Sequence, residues 1–450
     1  MVIQSLLQRR SAWLFALCVP CAVAPVSGQS LTATINAEFP ALTETYKDLH
    51  AHPELSHEEA RTSALLAASL RKDGYTVTEH VGRYPDGTRA FGVVGVLKNG
   101  PGPTLMIRAD MDALPVAEET GVPYASHVIT KTKSGQDTGV MHACGHDVHV
   151  SVMIGTAHAL AASKSQWHGT LMLVGQPSEE TIDGAKAMLA DGLYERFGRP
   201  DHIIGLHDTN TLPAGKLGFV PGPTLASSTS IDVVIHGIGG HGSAPQLGRD
   251  PIPLAALYIT ELQTIVSREE DPQDPSVVTV GDIHGGTKRN IIPDEVKLEL
   301  TTRAFSEKSR QVVIDGLTSL AAGLTTAYNL PADKAAQVHV LEDESTPVMF
   351  NNPDLMAQLT PVLSKALGPD NVVQQQRVMG SEDVGVFSLD RHIPVAFFWL
   401  GAMEPGSFAT ATAAGKPLPG PHSSRFQPDP DPTLHTGVTA MITAAMALLQ

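Results

Sequence analysis

The sequence predicts an α/β protein: a doubly wound, mainly parallel sheet, interrupted by an inserted ferredoxin-like unit of order β-α-β-β-α-β. Two observations predict it. In the outer parts of the chain, short apolar runs of buried-strand type alternate with helical patterns, which is the signature of a sheet covered on both faces. In the middle the order changes to strand, helix, strand, strand, helix, strand, which is that of a split βαβ unit.

The elements follow in order. Residues 38–49 read as a helix, and residues 58–73 as a second, amphipathic helix that stops at Gly74. Residues 92–97 and 104–107 are short β-type runs, residues 150–162 are helical, and residues 169–174 form a continuous apolar run. Residues 202–206 and 394–400 are further runs of that kind. In the middle, residues 230–236 alternate as a strand, and residues 251–269 form a helix with Pro251 at its start. Two strands (277–283 and 295–304), a helix (307–328) and a last strand (337–341) complete the unit. Pro221-Gly222-Pro223 precedes it and a polar stretch around 342–347 follows. The expected division is therefore residues 29–227 and 343–450 for the outer domain, with residues 228–342 inserted.

Composition excludes some partners. Asp plus Glu outnumber Lys plus Arg by 47 to 31, a net charge of −16, which disfavours binding to a phosphate backbone. Aromatic residues make up only 5%, too few for base-stacking platforms. At the N-terminus, Arg9 and Arg10 precede an apolar run over residues 11–26 that Pro20 and Pro25 interrupt, and Val26 and Gly28 are small enough for cleavage before Gln29. Residues 1–28 thus read as a cleaved signal peptide, and the protein as exported, periplasmic or secreted, with no membrane association afterwards. Cleavage would leave Cys144 as the sole cysteine and exclude an internal disulfide.

The strand ends are where ligands gather in open α/β sheets, and here they carry metal-type residues. The run 104–107 leads into Asp110 and Asp112, the run 169–174 into Glu179-Glu180, and the run 202–206 into His207. His142-Ala143-Cys144-Gly145-His146-Asp147 stands just before a helix, and His422 follows a long loop rich in Pro and Gly. Paired carboxylates alone are commonly a solvated face, and a lone cysteine is commonly a small buried apolar group. Their convergence on one sheet instead suits Zn(II), with Mn(II), Co(II) or Ni(II) as alternatives. In the Glu pair, one carboxylate can bind metal while its neighbour stays free to take a proton from water. That combination hydrolyses amides and esters. No Gly-x-Ser-x-Gly elbow supports a serine hydrolase.

With these residues in place, the chain from about Tyr46 onwards resembles the dinuclear-metal aminoacylase/carboxypeptidase family, in its branch of hippurate and indole-acetyl-amino-acid hydrolases. The resemblance rests on residues 48–54, 108–115, 142–147, Glu179-Glu180, Gly239-Gly240-His241, residues 290–294 and residues 380–383. It implies two divalent metal ions, with Cys144 as the bridging ligand and His146, Glu180, His207 and His422 as the others. It implies Glu179 as the general base, Asp112 as an acid that orients a ligand, and His241 as the group that stabilises the oxyanion. Asn290 and Arg303 would grip the substrate carboxylate. The insert would act as a lid and dimerisation domain, making a homodimer.

The resulting expectation is an exported, metal-dependent amidohydrolase of N-acyl amino acids. The alternatives are a dipeptidase or carboxypeptidase of the same chemistry, or a non-catalytic periplasmic binding protein, against which the free Glu179 argues. Three departures from the family pattern stand out: Thr181-Ile182-Asp183 where relatives have a glycine-rich run, Gln246 after Pro245 where relatives have His, and the long loop 402–421; the first and third bear on substrate.

Overall fold

A computed structural model describes residues 29–131 and 135–450. The expected signal peptide, with Cys18 and Cys21, lies outside the described residues. Among the described residues, no helix is long and apolar enough to cross a membrane.

An eight-stranded sheet runs edge to edge through Thr76–Arg83, Arg89–Asn99, Gly169–Gln176, Thr104–Asp110, His202–Pro213, Val395–Met403, Leu217–Phe219 and Val372–Gln374. The four central strands, Gly169–Gln176 to Val395–Met403, are mutually parallel. Thr76–Arg83 and Arg89–Asn99 pair antiparallel at one edge. The central strands read as unbroken apolar runs because both faces are covered. Leu105, Ile107, Leu171, Leu173, Ile204 and Phe398 pack on one side against helices that include Ala60–Lys72, His146–Ala162, Pro353–Leu367 and Pro430–Leu448. Met106, Met172, Ile203 and Phe397 face the other side, where Ala185 and Met188 of helix Gly184–Ala190 meet Val384 and Phe387.

The insert is a four-stranded antiparallel sheet in the spatial order Ser276–Gly285, Glu295–Ala304, Ser227–His236, Gln337–Thr346. Numbered along the chain this is 2-3-1-4, the ferredoxin-like arrangement. Helices Pro251–Glu261 and Glu307–Ala327 cover one face, burying Ile231, Val233, Ile235, Leu298, Leu300, Val313 and Leu317. The chain enters and leaves side by side, since Ser228 pairs with Thr346.

Several elements differ from expectation. The helix expected over 150–162 begins earlier, at His146. Gly145 permits this by adopting φ 76°, and a Cβ there would come within 2.2 Å of the Asp208 carboxylate. The helix expected over 251–269 ends at Glu261, and a separate wide turn covers Ile265–Glu269. The Thr264 hydroxyl donates to the Glu261 carbonyl at this break. The loop 402–421 contains a helix, Pro405–Ala413, started by the Glu404 carboxylate accepting the Gly406 and Ser407 N–H groups.

Candidate metal centre

The carboxyl ends of two central strands, the middle of a third (His202–Pro213, which continues past the end expected at 206) and two loops bring the ligand-type residues together. Cys144 Sγ lies 3.4 Å from His207 Nε2. His146 Nε2 lies 3.9 Å from Glu180 Oε1, and His422 Nε2 lies 3.4 Å from Glu180 Oε2. Two groups of three donors, Cys144/His146/His207 and Cys144/Glu180/His422, each fall within 4.8 Å. His422 is tied to the cysteine loop by its own backbone, because its N–H donates to the Ala143 carbonyl at 2.7 Å.

The histidine rings are aimed by their second nitrogens. His146 Nδ1–H donates to the Asp112 carbonyl at 2.8 Å, and His207 Nδ1–H to the Asp208 carbonyl at 2.7 Å. Each ring therefore turns Nε2 toward the cluster, the arrangement metal-binding histidines use. Asp112 accepts the backbone N–H groups of Glu179 at 3.1 Å and Glu180 at 3.0 Å, and the Ser56 hydroxyl at 2.6 Å. It thus aims the Glu pair through the main chain.

The electrostatics are those of crowded buried acid groups. Burial, with Glu382 and Glu180 nearby, holds the Glu179 carboxyl well above its ordinary pKa. Burial pushes Glu180 up to about 7 although His146 pulls the other way. Burial likewise raises the Cys144 thiol. His146 Nε2 and Glu180 Oε1 are buried and meet no hydrogen-bond partner. Two orphaned donor atoms facing each other across 3.9 Å, beside a cysteine and two more histidines, fit a divalent cation well.

The cleft over this floor is lined by Cys144, Glu179, Glu180, His207 and His422, by Ile182, Leu225, Val378, Met379 and Trp399, and by Arg303 from the insert. Arg303 Nη1 donates to Ser381 Oγ. Of the long loop 402–421, only Pro421 lines the cleft. His241 and Asn290 do not line it. Both are exposed on a small outgrowth of the insert where Gly240–His241 pairs with Ile291–Ile292. His241 Nδ1 accepts from Ser243 N–H and faces the Ser243 hydroxyl at 2.7 Å, which leaves Nε2–H pointing outward.

Sequence reasoning missed the groups beneath the floor. Arg108 is fully buried and meets Asp110 at 2.6 Å, Glu382 at 2.6 Å and Asp383 at 3.0 Å. It ties the loop 380–383 to the sheet. Glu59 is buried under Ser178, and burial, with Asp112 nearby, pushes its pKa up to about 7. His50 is clamped between Asp147 and Glu118. A charged residue inside a strand, such as Arg108, gives no period-2 signal, though three acids in two short motifs, Asp110 and Glu382-Asp383, imply that a cation must meet them.

Residues 106–415 match the model of peptidase family M20/M25/M40. The chain belongs to this family. This M20 protein is 36% identical to thermostable carboxypeptidase 2 of Saccharolobus solfataricus over 79% of its length and 84% of the relative's. It is 36% identical to hippurate hydrolase of Campylobacter jejuni, over 78% and 85%. Among solved structures, a putative aminohydrolase from methicillin-resistant Staphylococcus aureus superposes with a TM-score of 0.81 at 30% identity, covering 94% of this chain and all of that one. A dinuclear metal-binding M20 peptidase of Bacillus subtilis superposes with a TM-score of 0.70 at 28% identity, covering 92% and 100%. This M20 protein is therefore a metal-dependent amidohydrolase or peptidase with a dinuclear metal centre.

Proposed function

We propose that this M20 protein is an exported hydrolase that cleaves the amide bond of N-acyl amino acids and works as a homodimer. One observation carries the substrate reading. The ligand cluster and the free Glu179 carboxyl open into the same cleft as Arg303, whose fork suits a planar carboxylate. A substrate clamped by its carboxylate brings its amide over Glu179.

Bound divalent ions would polarise the amide carbonyl and make a water acidic enough to ionise near neutrality. Glu179, with its raised affinity for a proton, takes one from the attacking water. It passes that proton to the leaving nitrogen as the C–N bond breaks, releasing a free amino acid and a carboxylic acid. Asp112 keeps Glu179 in reach throughout by holding its backbone N–H. Dipeptides are the second substrate class, favoured by the equal identity to a carboxypeptidase and a hippurate hydrolase. The test is product release from a panel of N-acetyl- and N-benzoyl-amino acids and dipeptides, read by mass spectrometry for wild type and Glu179→Ala. Free amino acid from wild type alone supports the reading. Equal turnover by the variant sinks it.

Export is supported by Arg9, Arg10 and the apolar run 11–26. N-terminal sequencing of protein recovered outside the cytoplasm should start near Gln29, and a retained start at Met1 would reject it. The homodimer is supported by His241 and Asn290 standing exposed and away from the cleft of their own chain, and by the exposed Val277 and Ile283 on the edge strand Ser276–Gly285, whose outer side carries no further strand. In this reading His241 completes the site of the partner subunit.

A further inference from the structure

Three successive backbone amides in the turn that carries the Glu pair end on two buried carboxylates. Glu179 N–H and Glu180 N–H go to Asp112, and Ser178 N–H goes to Glu59 Oε1 at 2.8 Å. Glu59 Oε1 also accepts the Ser178 hydroxyl at 3.0 Å and the His57 N–H at 3.0 Å. The Ser178 hydroxyl is fixed from its other side by the Tyr84 hydroxyl at 2.6 Å and by the His57 N–H at 3.0 Å. Ser178 itself has φ 54°, a left-handed conformation that a serine does not hold without support. The turn leaves little slack beyond it, since a Cβ on Gly184 would come within 1.6 Å of the Pro177 carbonyl.

We propose that Glu59 is a positioning residue for catalysis: it templates the left-handed Ser178 so that Glu179, the next residue, points at the reacting water. Asp112 alone does not suffice for this, because it grips the turn only at Glu179 and Glu180. Ser56 and Glu59 divide the support between them. Ser56 donates to Asp112, and Glu59 receives Ser178, so one short segment braces both holds on the turn. Glu59 Oε2 is buried and meets no hydrogen-bond partner, so a single oxygen, Oε1, accepts all three bonds. This inference rests on the reading of Glu179 as the base.

The test compares Glu59→Gln, Glu59→Asp and Glu59→Ala in the metal-loaded full chain. Amide exchange of a peptide covering residues 177–184 is read by mass spectrometry, alongside kcat, KM and metal content. Glu59→Ala should speed exchange of that peptide at least tenfold, since the opening of the turn becomes local and cheap. It should lower kcat by roughly 10- to 100-fold, the cost of a misplaced catalytic group, with KM and metal content nearly unchanged. Glu59→Gln keeps the accepting oxygen and should stay within about threefold of wild type, whereas Glu59→Asp is one methylene short and should behave like Ala. Unchanged exchange in Glu59→Ala, or Gln as damaging as Asp, overturns the proposal. If Glu59→Ala fails to fold, the comparison of Gln with Asp decides alone. If wild type cleaves no substrate in the panel, the functional reading fails separately, and exchange still decides whether Glu59 holds the turn.

Discussion

His50 Nδ1 lies 2.6 Å from Asp147 Oδ2, and the same ring faces Glu118 Oε1 at 3.1 Å through its other nitrogen. Burial disfavours a charged ring here, but the two carboxylates outweigh it and push the His50 pKa up to about 10. Both nitrogens then donate, and the ring is an imidazolium that joins the first helix to the start of helix His146–Ala162 and to the loop at Glu118.

A folded-state pKa raised above the unfolded value of about 6.5 stabilises the protein fully below that pH. That contribution is lost as pH rises from about 6.5 towards 10. The Tm of wild type should therefore fall more steeply between pH 7 and 10 than that of His50→Gln, measured by calorimetry. The variant itself should be destabilised by about 3–5 kcal/mol near pH 6.5, the cost of leaving buried carboxylates unpaired. Parallel pH curves for the two proteins would rule out the assignment.

Arg108 meets three buried acids at once. Arg108→Met should destabilise the protein by about 3–5 kcal/mol. Arg108→Lys should recover less than half of that loss, because one ammonium cannot span a planar fork's worth of acceptors. Thermal unfolding of the three proteins side by side checks this. A lysine variant as stable as wild type would show that charge, not geometry, holds the loop at Glu382.

Cys144 should show its role through metal retention. Cys144→Ser replaces a soft thiolate with a poor ligand, and metal content after dialysis should drop by roughly tenfold or more. Thiol labelling of wild type should be slow until a chelator is added. Fast labelling of the metal-loaded protein, with unchanged metal in the variant, would remove Cys144 from the centre.

Ile182 adopts φ 52°, a costly conformation for a β-branched residue, and its side chain lines the cleft. Ile182→Gly should relieve about 1 kcal/mol or more of strain and raise the Tm. The same variant should lose activity on N-benzoyl relative to N-acetyl substrates by roughly tenfold. A lowered Tm with an unchanged substrate ratio would show that Ile182 serves only the turn.

The proposed homodimer makes a complementation prediction. Glu179→Ala and His241→Ala are each expected to be inactive alone. Mixed subunits should regain about a quarter to a half of wild-type activity, because one site in each mixed dimer then has both residues, an isologous arrangement. Light scattering should give twice the chain mass. A monomer, or a mixture that stays inactive, would end the shared-site reading.

Much of this was legible beforehand, and the reasons are particular. The runs at 169–174, 202–206 and 394–400 stand out because their strands are covered on both faces. Cys144, Glu179, Glu180, His207 and His422 stand out as polar residues at strand ends or after loops. Thr76–Arg83 escaped because it is an edge strand with a mixed burial pattern and no clean alternation. Helices Pro353–Leu367 and Pro430–Leu448 escaped because each begins with proline in a Pro-containing stretch that reads as loop. Glu59 and Ser178 lie 119 residues apart, and nothing local ties a glutamate at a helix start to a turn so far along the chain.

Ser228 and Thr346 are paired neighbours, so the two chain connections between the insert and the rest of the protein lie side by side. The ligand-type residues all belong to the outer body, while Arg303 belongs to the insert. In the proposed reading the two halves of substrate handling, holding an anion and breaking a bond, are thus mounted on the two sides of this paired crossing. In that reading a small swing about the crossing, with release of the Arg303–Ser381 bond, would change the span between anion grip and reacting atoms while leaving every ligand-to-ligand distance as it is. Substrate length is in this sense an angular quantity, readable with a graded series of spacers between carboxylate and amide.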